Sequence, residues 1–267
     1  MGSDEALRQI RTAGSISISP ELFEKLYLSP QNQVKGDLRK TFGNPTPLAL
    51  LGFLLSLSPL SCDLMGWRGA GGAGASGTAT YMFFGGVLML LGGVGEWILG
   101  NTFPFVVFCS FGAFWLGFGG TLQPFFNAYG AYSTDPNNPA EGLNEVGFNS
   151  GLAFFLLAMG LLCFVYFICA LRTNVVFVLI FFTLVIVFCI LAGAYWQTSN
   201  GNTALASRLQ IAGGAVAFVT CACGWWIFVA IMLAALDFPF QVPVGDLSSV
   251  IKGASERQRE KAVTSEV

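Results

Sequence analysis

Six long apolar stretches follow one another between Pro47 and Leu236, with charged residues confined to their ends and to the loops between them. A hydrocarbon core about 30 Å thick takes roughly 20 mostly apolar residues per helical crossing. On that measure the crossings fall at about 45–64, 78–100, 103–123, 146–171, 174–196 and 209–236. The expected fold is all-α: a polytopic membrane protein built as a bundle of six transmembrane helices. Charged residues make up only 10% of the chain and hydrophobic ones 54%, whereas an ordinary soluble domain is about 25% charged. A soluble core cannot absorb that much apolar surface. The chain divides into an N-terminal tail, 1–43, a six-helix transport domain, 44–237, and a C-terminal tail, 238–267, so no separate soluble catalytic domain is expected.

Lys and Arg near a helix end resist translocation, so their distribution reports orientation. Arg8, Arg11, Lys25, Lys35, Arg39 and Lys40 precede the first crossing, Arg172 follows the fourth, and Lys252, Arg257, Arg259 and Lys261 follow the sixth, which puts 11 of the 13 cations on one side. The other side holds Arg68 and Arg208 beside Asp63, Asp135, Glu141 and Glu145. Both termini are therefore expected in the cytoplasm, and an even number of crossings, which puts them on one side, agrees. The polar segment before Lys40 has no apolar run of signal-peptide length, so the first crossing itself directs insertion. The basic run Lys35 to Lys40 reads as a topology signal ahead of a lipid-binding site.

The chain has no His, which removes the usual proton shuttle at neutral pH. Six of its seven cysteines lie within crossings, where they act as small hydrophobes, and only Cys62 is expected to be reachable from outside. Cys221-Ala222-Cys223 lacks the further ligands that a zinc site needs. No nucleophile sits beside a base and no crossing carries paired carboxylates, so the chain is expected not to be an enzyme and to hold no metal or cofactor. The Gly-rich runs open no phosphate-binding helix, and no nucleic-acid partner is expected. The segment Trp67–Thr80, with five glycines, reads as a flexible outer loop. Small residues four apart, Ala113 and Gly117 in the third crossing and Gly213, Ala217 and Cys221 in the sixth, mark close helix packing within or between subunits.

Two junctions carry the candidate chemistry. At Asn44-Pro45-Thr46-Pro47-Leu48 the prolines keep a regular helix from starting earlier. Only about 13 apolar-leaning residues then precede Pro59, short for a full crossing. Asn44 is then either a plain cap at the surface or a group inside the membrane profile, at the mouth of a pathway. The second junction runs from Glu96 through Asn101, Thr102 and Pro104. A carboxylate near a membrane-helix end needs water or a partner. Asn101 and Thr102 suit a cap for the next helix, and Glu96 either bonds the amides of that helix or relays protons.

These junctions, with Gly100-Asn101-Thr102-Phe103, Ser110-Phe111-Gly112-Ala113-Phe114-Trp115 and Phe181-Phe182-Thr183-Leu184, resemble the acetate uptake transporter family: bacterial succinate–acetate permeases and their fungal acetate and ammonia-export relatives. The likeness runs from about Asn44 to Asp246, and Gln33 to Lys40 is similar to the fungal branch. The resemblance implies a homo-hexamer in the plasma membrane with a separate pathway through each protomer. It places an apolar constriction at Phe53, Phe111 and Leu184, with Asn44, Pro45, Thr46, Pro47 and Leu48 at the cytoplasmic mouth. Glu96, Asn101 and Thr102 then shape the inner hairpin. The family's third-helix aromatic is commonly Tyr, and Phe111 lacks that hydroxyl.

An apolar neck strips water from its cargo, which costs an acetate ion far more than neutral acetic acid or ammonia. The expected activity is transport of acetate or acetic acid and related small monocarboxylates, linked to protons. Ammonia export on the same fold and a non-transporting sensor or scaffold are the alternatives. An aquaporin-like channel is disfavoured, because Asn138-Pro139-Ala140 leads into Glu141-Gly142-Leu143-Asn144-Glu145, too polar to begin a membrane half-helix.

Overall fold

A computed structural model describes residues 38–247 together with 250 and 251. Most of the N-terminal tail and the C-terminal cations from Lys252 onward lie outside the described residues, as does the start of the Lys35 to Lys40 run. Among the described residues six helices are long and apolar enough to cross a membrane: α1 Thr46–Met65, α2 Gly72–Ile98, α3 Thr102–Thr121, α4 Val146–Ala170, α5 Val175–Ser199 and α6 Thr203–Ala235. The protein is thus an all-helical, multi-pass membrane protein.

The residues set the helix limits. Pro45 and Pro47 flank the first turn of α1, and Gly66, at φ 72°, ends it. In keeping with the expected limits of about 45–64, α1 does not stop at Pro59 but runs through it to Met65. Proline deletes one backbone donor, a loss that membrane helices tolerate when neighbours buttress the site. Here the Trp225 indole N–H of α6 donates to Ser58 Oγ at 3.1 Å, beside the proline. Helix α6 starts six residues before the expected 209 because Asn202 caps it, accepting from the Leu205 amide.

The glycine-rich segment between the first two crossings is also more ordered than its composition suggests. Its second half, Gly72–Gly77, is wound as 3-10 turns onto the start of α2, and Tyr81 donates its hydroxyl to the Gly74 carbonyl at 2.7 Å. Gly74 sits at φ 82°, and a Cβ there would fall 2.4 Å from Leu60 Cδ1. Only glycine combines that backbone conformation with that closeness. Helix α2 then passes through a π-helical stretch, Tyr81–Leu88.

Around the bundle, packing runs α4, α5, α6, α1, α2, α3. At the last join α3 stands off from α4 and α5, and rings fill the gap: Phe114 stacks on Phe155 at 6.0 Å and meets Phe188 edge-on at 5.4 Å. Close approach is concentrated where glycines of α2 face α1 and α3. A Cβ on Gly85 would lie 2.5 Å from Trp115 Cγ and 2.8 Å from Ser56 Oγ. By contrast Ala113 and Gly117, flagged from spacing, face outward, and a Cβ on Gly117 meets nothing within 4 Å. Gly85→Val is therefore expected to cost about 1–3 kcal/mol of overpacking and to lower the melting temperature in detergent, while Gly117→Ala leaves it unchanged. Thermal unfolding followed by size-exclusion fluorescence measures both.

After α6 the chain breaks at Asp237 to Pro239 and returns to the α4–α5 turn. The Val175 amide donates to the Gly245 carbonyl at 2.8 Å and the Leu247 amide to the Thr173 carbonyl at 3.0 Å. Val244 is buried beneath this strap.

Candidate functional site

Three cavities lie in series inside the protomer. The largest, about 110 Å³, extends from Ala73, Thr121 and Thr198 at one end of the bundle to Phe53, Phe111 and Leu184. A second, about 30 Å³, lies beyond those three side chains among Leu50, Met89, Val107 and Ile180. A third, about 20 Å³, opens between Thr46, Phe103, Pro104 and Thr173 at the opposite helix ends. Phe53, Phe111 and Leu184 are the residues that line both the first and the second cavity. Val107, Phe108, Phe177 and Phe181 line both the second and the third.

The separating layer comes from three helices: Phe53 from α1, Phe111 from α3 and Leu184 from α5, each at most 6% exposed. The Phe53 and Phe111 rings meet edge to face, centroids 6.1 Å apart and planes at 79°. That arrangement sets the positive edge of one ring against the negative face of the other. Phe188, one turn after Leu184, lies 6.5 Å from Phe111. None of the residues lining the three cavities is charged.

The polar junction stands at the other end. Thr46 is 3% exposed and lines the third cavity, and its hydroxyl donates to Glu96 Oε1. The Asn101 carboxamide donates to Glu96 Oε2 at 2.6 Å, and the Asn101 amide donates to the Glu96 carbonyl at 2.8 Å. A buried carboxylate, 1% exposed, thus ties α1, the end of α2 and the start of α3 into one knot. The close approach of α1 and α2 that permits it depends on Gly95, where a Cβ would lie 2.6 Å from Pro45 Cβ.

The junction residues divide on inspection. Asn44 Oδ1 accepts from the Thr46 amide at 3.0 Å, holding the first turn of α1, and Pro45 and Pro47 are half-buried beside it. Leu48 departs from its assignment to the mouth: it is 40% exposed and faces away from the cavities. Two residues after Thr46 on a helix point to a different side, so sequence adjacency misplaces it. Asn101 makes no side-chain cap to α3, its carboxamide being engaged with Glu96, and Thr102 is exposed on the surface. The lining residues that the motifs did not mark were legible as helical neighbours of those they did: Phe108 and Phe114 three either side of Phe111, Phe188 four after Leu184, Phe177 four before Phe181.

Fold and cavities together define a six-helix membrane protein with an apolar interior series of spaces, the architecture of transporters and channels. The chain matches the GPR1/FUN34/yaaH family over residues 28–249 and belongs to it. The resemblance drawn from the junction motifs is thereby borne out. Among relatives, it is 47% identical to protein alcS of Aspergillus fumigatus, over 88% of this chain and 86% of that protein. It is 30% identical to the acetate transporter protein patA of Aspergillus clavatus, over 77% of this chain and 79% of that protein. It is also 30% identical to ammonia transport outward protein 2 of Saccharomyces cerevisiae, over 84% of this chain and 77% of that protein. Among solved structures, the bacterial acetate channel SatP superposes with a TM-score of 0.58 at 25% identity, covering 76% of this chain and 99% of that chain.

Proposed function

We propose that the chain carries acetate or acetic acid, and related small monocarboxylates, across the plasma membrane through the Phe53–Phe111–Leu184 layer, linked to proton movement. The observation that supports this reading is that these three side chains bound two cavities lying in series. An acetate transporter and an acetate channel among the relatives favour the same cargo. A layer without charge or hydrogen-bond donors imposes a large desolvation cost on a carboxylate and a small one on the neutral acid. Cargo therefore crosses as acetic acid, or as acetate together with a proton. The cation asymmetry supports cytoplasmic termini, and the assembly is read as a homo-hexamer.

Purified protein in liposomes is expected to take up radiolabelled acetate, with uptake stimulated by an acidic exterior and the stimulation surviving collapse of the membrane voltage. A voltage-driven current without pH dependence would overturn the proton linkage. The ammonia-exporting relative favours a second cargo, and the lost hydroxyl at Phe111 suits a solute that needs no hydrogen bond in the neck. An ammonium pulse given to the same liposomes, with internal pH recorded, separates the two: rapid alkalinisation above that of empty liposomes supports ammonia passage.

A further inference from the structure

We propose that the outer half of the large cavity holds a recognition site for a neutral short-chain monocarboxylic acid, in which Tyr195 and Gln210 read the carboxyl group. This rests on the transport reading above and assigns to it a site that selects the cargo before the neck.

The cavity is graded in polarity. Its end at Phe53, Phe111 and Leu184 is wholly apolar, whereas Thr121, Tyr195, Thr198 and Gln210 are gathered toward the other end. The two threonine hydroxyls spend their single donors on their own helices, Thr121 on the Gly117 carbonyl at 2.8 Å and Thr198 on the Ala194 carbonyl at 3.1 Å. Among the described residues the Tyr195 hydroxyl and the Gln210 carboxamide have no hydrogen-bond partner, and both side chains are half-buried. Their placement follows from helix register. Tyr195 and Thr198 lie three apart on α5 and Ala206 and Gln210 four apart on α6, and all four line the cavity, so these faces of the two packed helices turn inward.

Both groups face a largely apolar space with no protein partner, so their hydrogen-bonding capacity is open to a cargo that enters it. The chemistry of the pair identifies the partner. A primary carboxamide offers a donor and an acceptor side by side, which matches the carbonyl and hydroxyl of a neutral carboxyl group, and the tyrosine adds one more donor. No lysine or arginine lines the space to hold an anion. At about 110 Å³ the cavity approaches the volume of about 150 Å³ in which an apolar engineered cavity binds benzene. An acid of two or three carbons fits, with its alkyl end toward the aromatic layer; a second carboxyl group would be driven against Phe53 and Phe111 without a partner. Neutral hydrogen bonds are weak enough to release the cargo into the neck, as conduction requires.

The test uses the full chain in liposomes, with radiolabelled acetate, and in detergent, with thermal unfolding in acetate. Gln210→Leu and Tyr195→Phe are each expected to raise the KM for acetate three- to ten-fold, the worth of about one neutral hydrogen bond, with maximal rate held within two-fold. Acetate protection of the fold in detergent falls in parallel. The wild-type KM for total acetate is expected to drop as pH falls, in proportion to the neutral acid. Unchanged KM in both variants, a pH-independent KM, or a loss confined to maximal rate overturns the site while leaving transport intact. Absence of uptake combined with acetate protection that Gln210→Leu abolishes keeps the site and overturns transport; absence of both overturns both. Tyr195→Phe removes a single oxygen, so the test stands even if Gln210→Leu fails to fold.

Discussion

Leu184→Trp is expected to cut acetate uptake at least ten-fold while the protein still purifies as a folded species. Leu184 is 2% exposed and lies between the two larger cavities. An indole there has the 110 Å³ space to enter, so overpacking stays near the low end of about 1–3 kcal/mol. The passage between the cavities closes, and each ten-fold of rate lost corresponds to about 1.4 kcal/mol of added barrier. Phe53→Ala works in the opposite sense. It removes one face of the ring pair and is expected to widen the substrate range toward longer carboxylates such as succinate. Both are measured by uptake of acetate and succinate into liposomes. A blocked Leu184→Trp protein that keeps full uptake, or a Phe53→Ala protein with wild-type rate and range, would remove the neck from the mechanism. A sensor or scaffold, unlike a transporter, would keep its cellular phenotype in Leu184→Trp.

The second large effect is expected at Glu96. Its carboxylate accepts from Thr46 on α1 and from Asn101 at the start of α3, all three buried. Glu96→Leu leaves a hydroxyl and a carboxamide without their acceptor, at about 1–3 kcal/mol each. With about 2–4 °C lost per kcal/mol for a chain of this size, the melting temperature in detergent is expected to fall by roughly 10 °C, with uptake lost. Glu96→Gln keeps one acceptor oxygen and is expected to recover part of the stability. If Glu96→Leu melts at the wild-type temperature, the knot contributes nothing to the fold. If Glu96→Gln recovers stability but not the response of uptake to pH, the carboxylate has a role in proton handling beyond structure.

The contrast between those two sites shows what a linear reading reaches. The knot is half legible. Glu96 and Asn101 are five residues apart, and a buried carboxylate near a helix end announces its need for partners. That one partner would be Thr46, fifty residues earlier, required the close approach of α1 and α2 at Gly95 and Pro45. Asn101 reads as a cap because a polar residue ahead of a helix usually is one, yet the Glu96 carboxyl group takes its carboxamide. Leu48 read as part of the mouth because it belongs to the motif, although a helix turns it to the outside.

What the sequence by itself determined is the number of crossings, their limits to within a few residues at most ends, and the all-helical class, because hydrocarbon admits only helices or closed barrels and hydropathy along the chain is a local quantity. It also carried the motifs that place the chain in its family. Rotation of each helix about its own axis was decided only in three dimensions. In a soluble helix the polar stripe marks the outer face; here α3 to α6 carry no continuous polar stripe, and lipid solvates a phenylalanine as readily as another helix does. The joint lining of two cavities by Phe53, Phe111 and Leu184, the inward turn of Tyr195 and Gln210, and the seating of Gly74 against Tyr81 all follow from which small residues let backbones approach and which rings fill the gaps. Those are properties of pairs of helices, and no single stretch of sequence contains them.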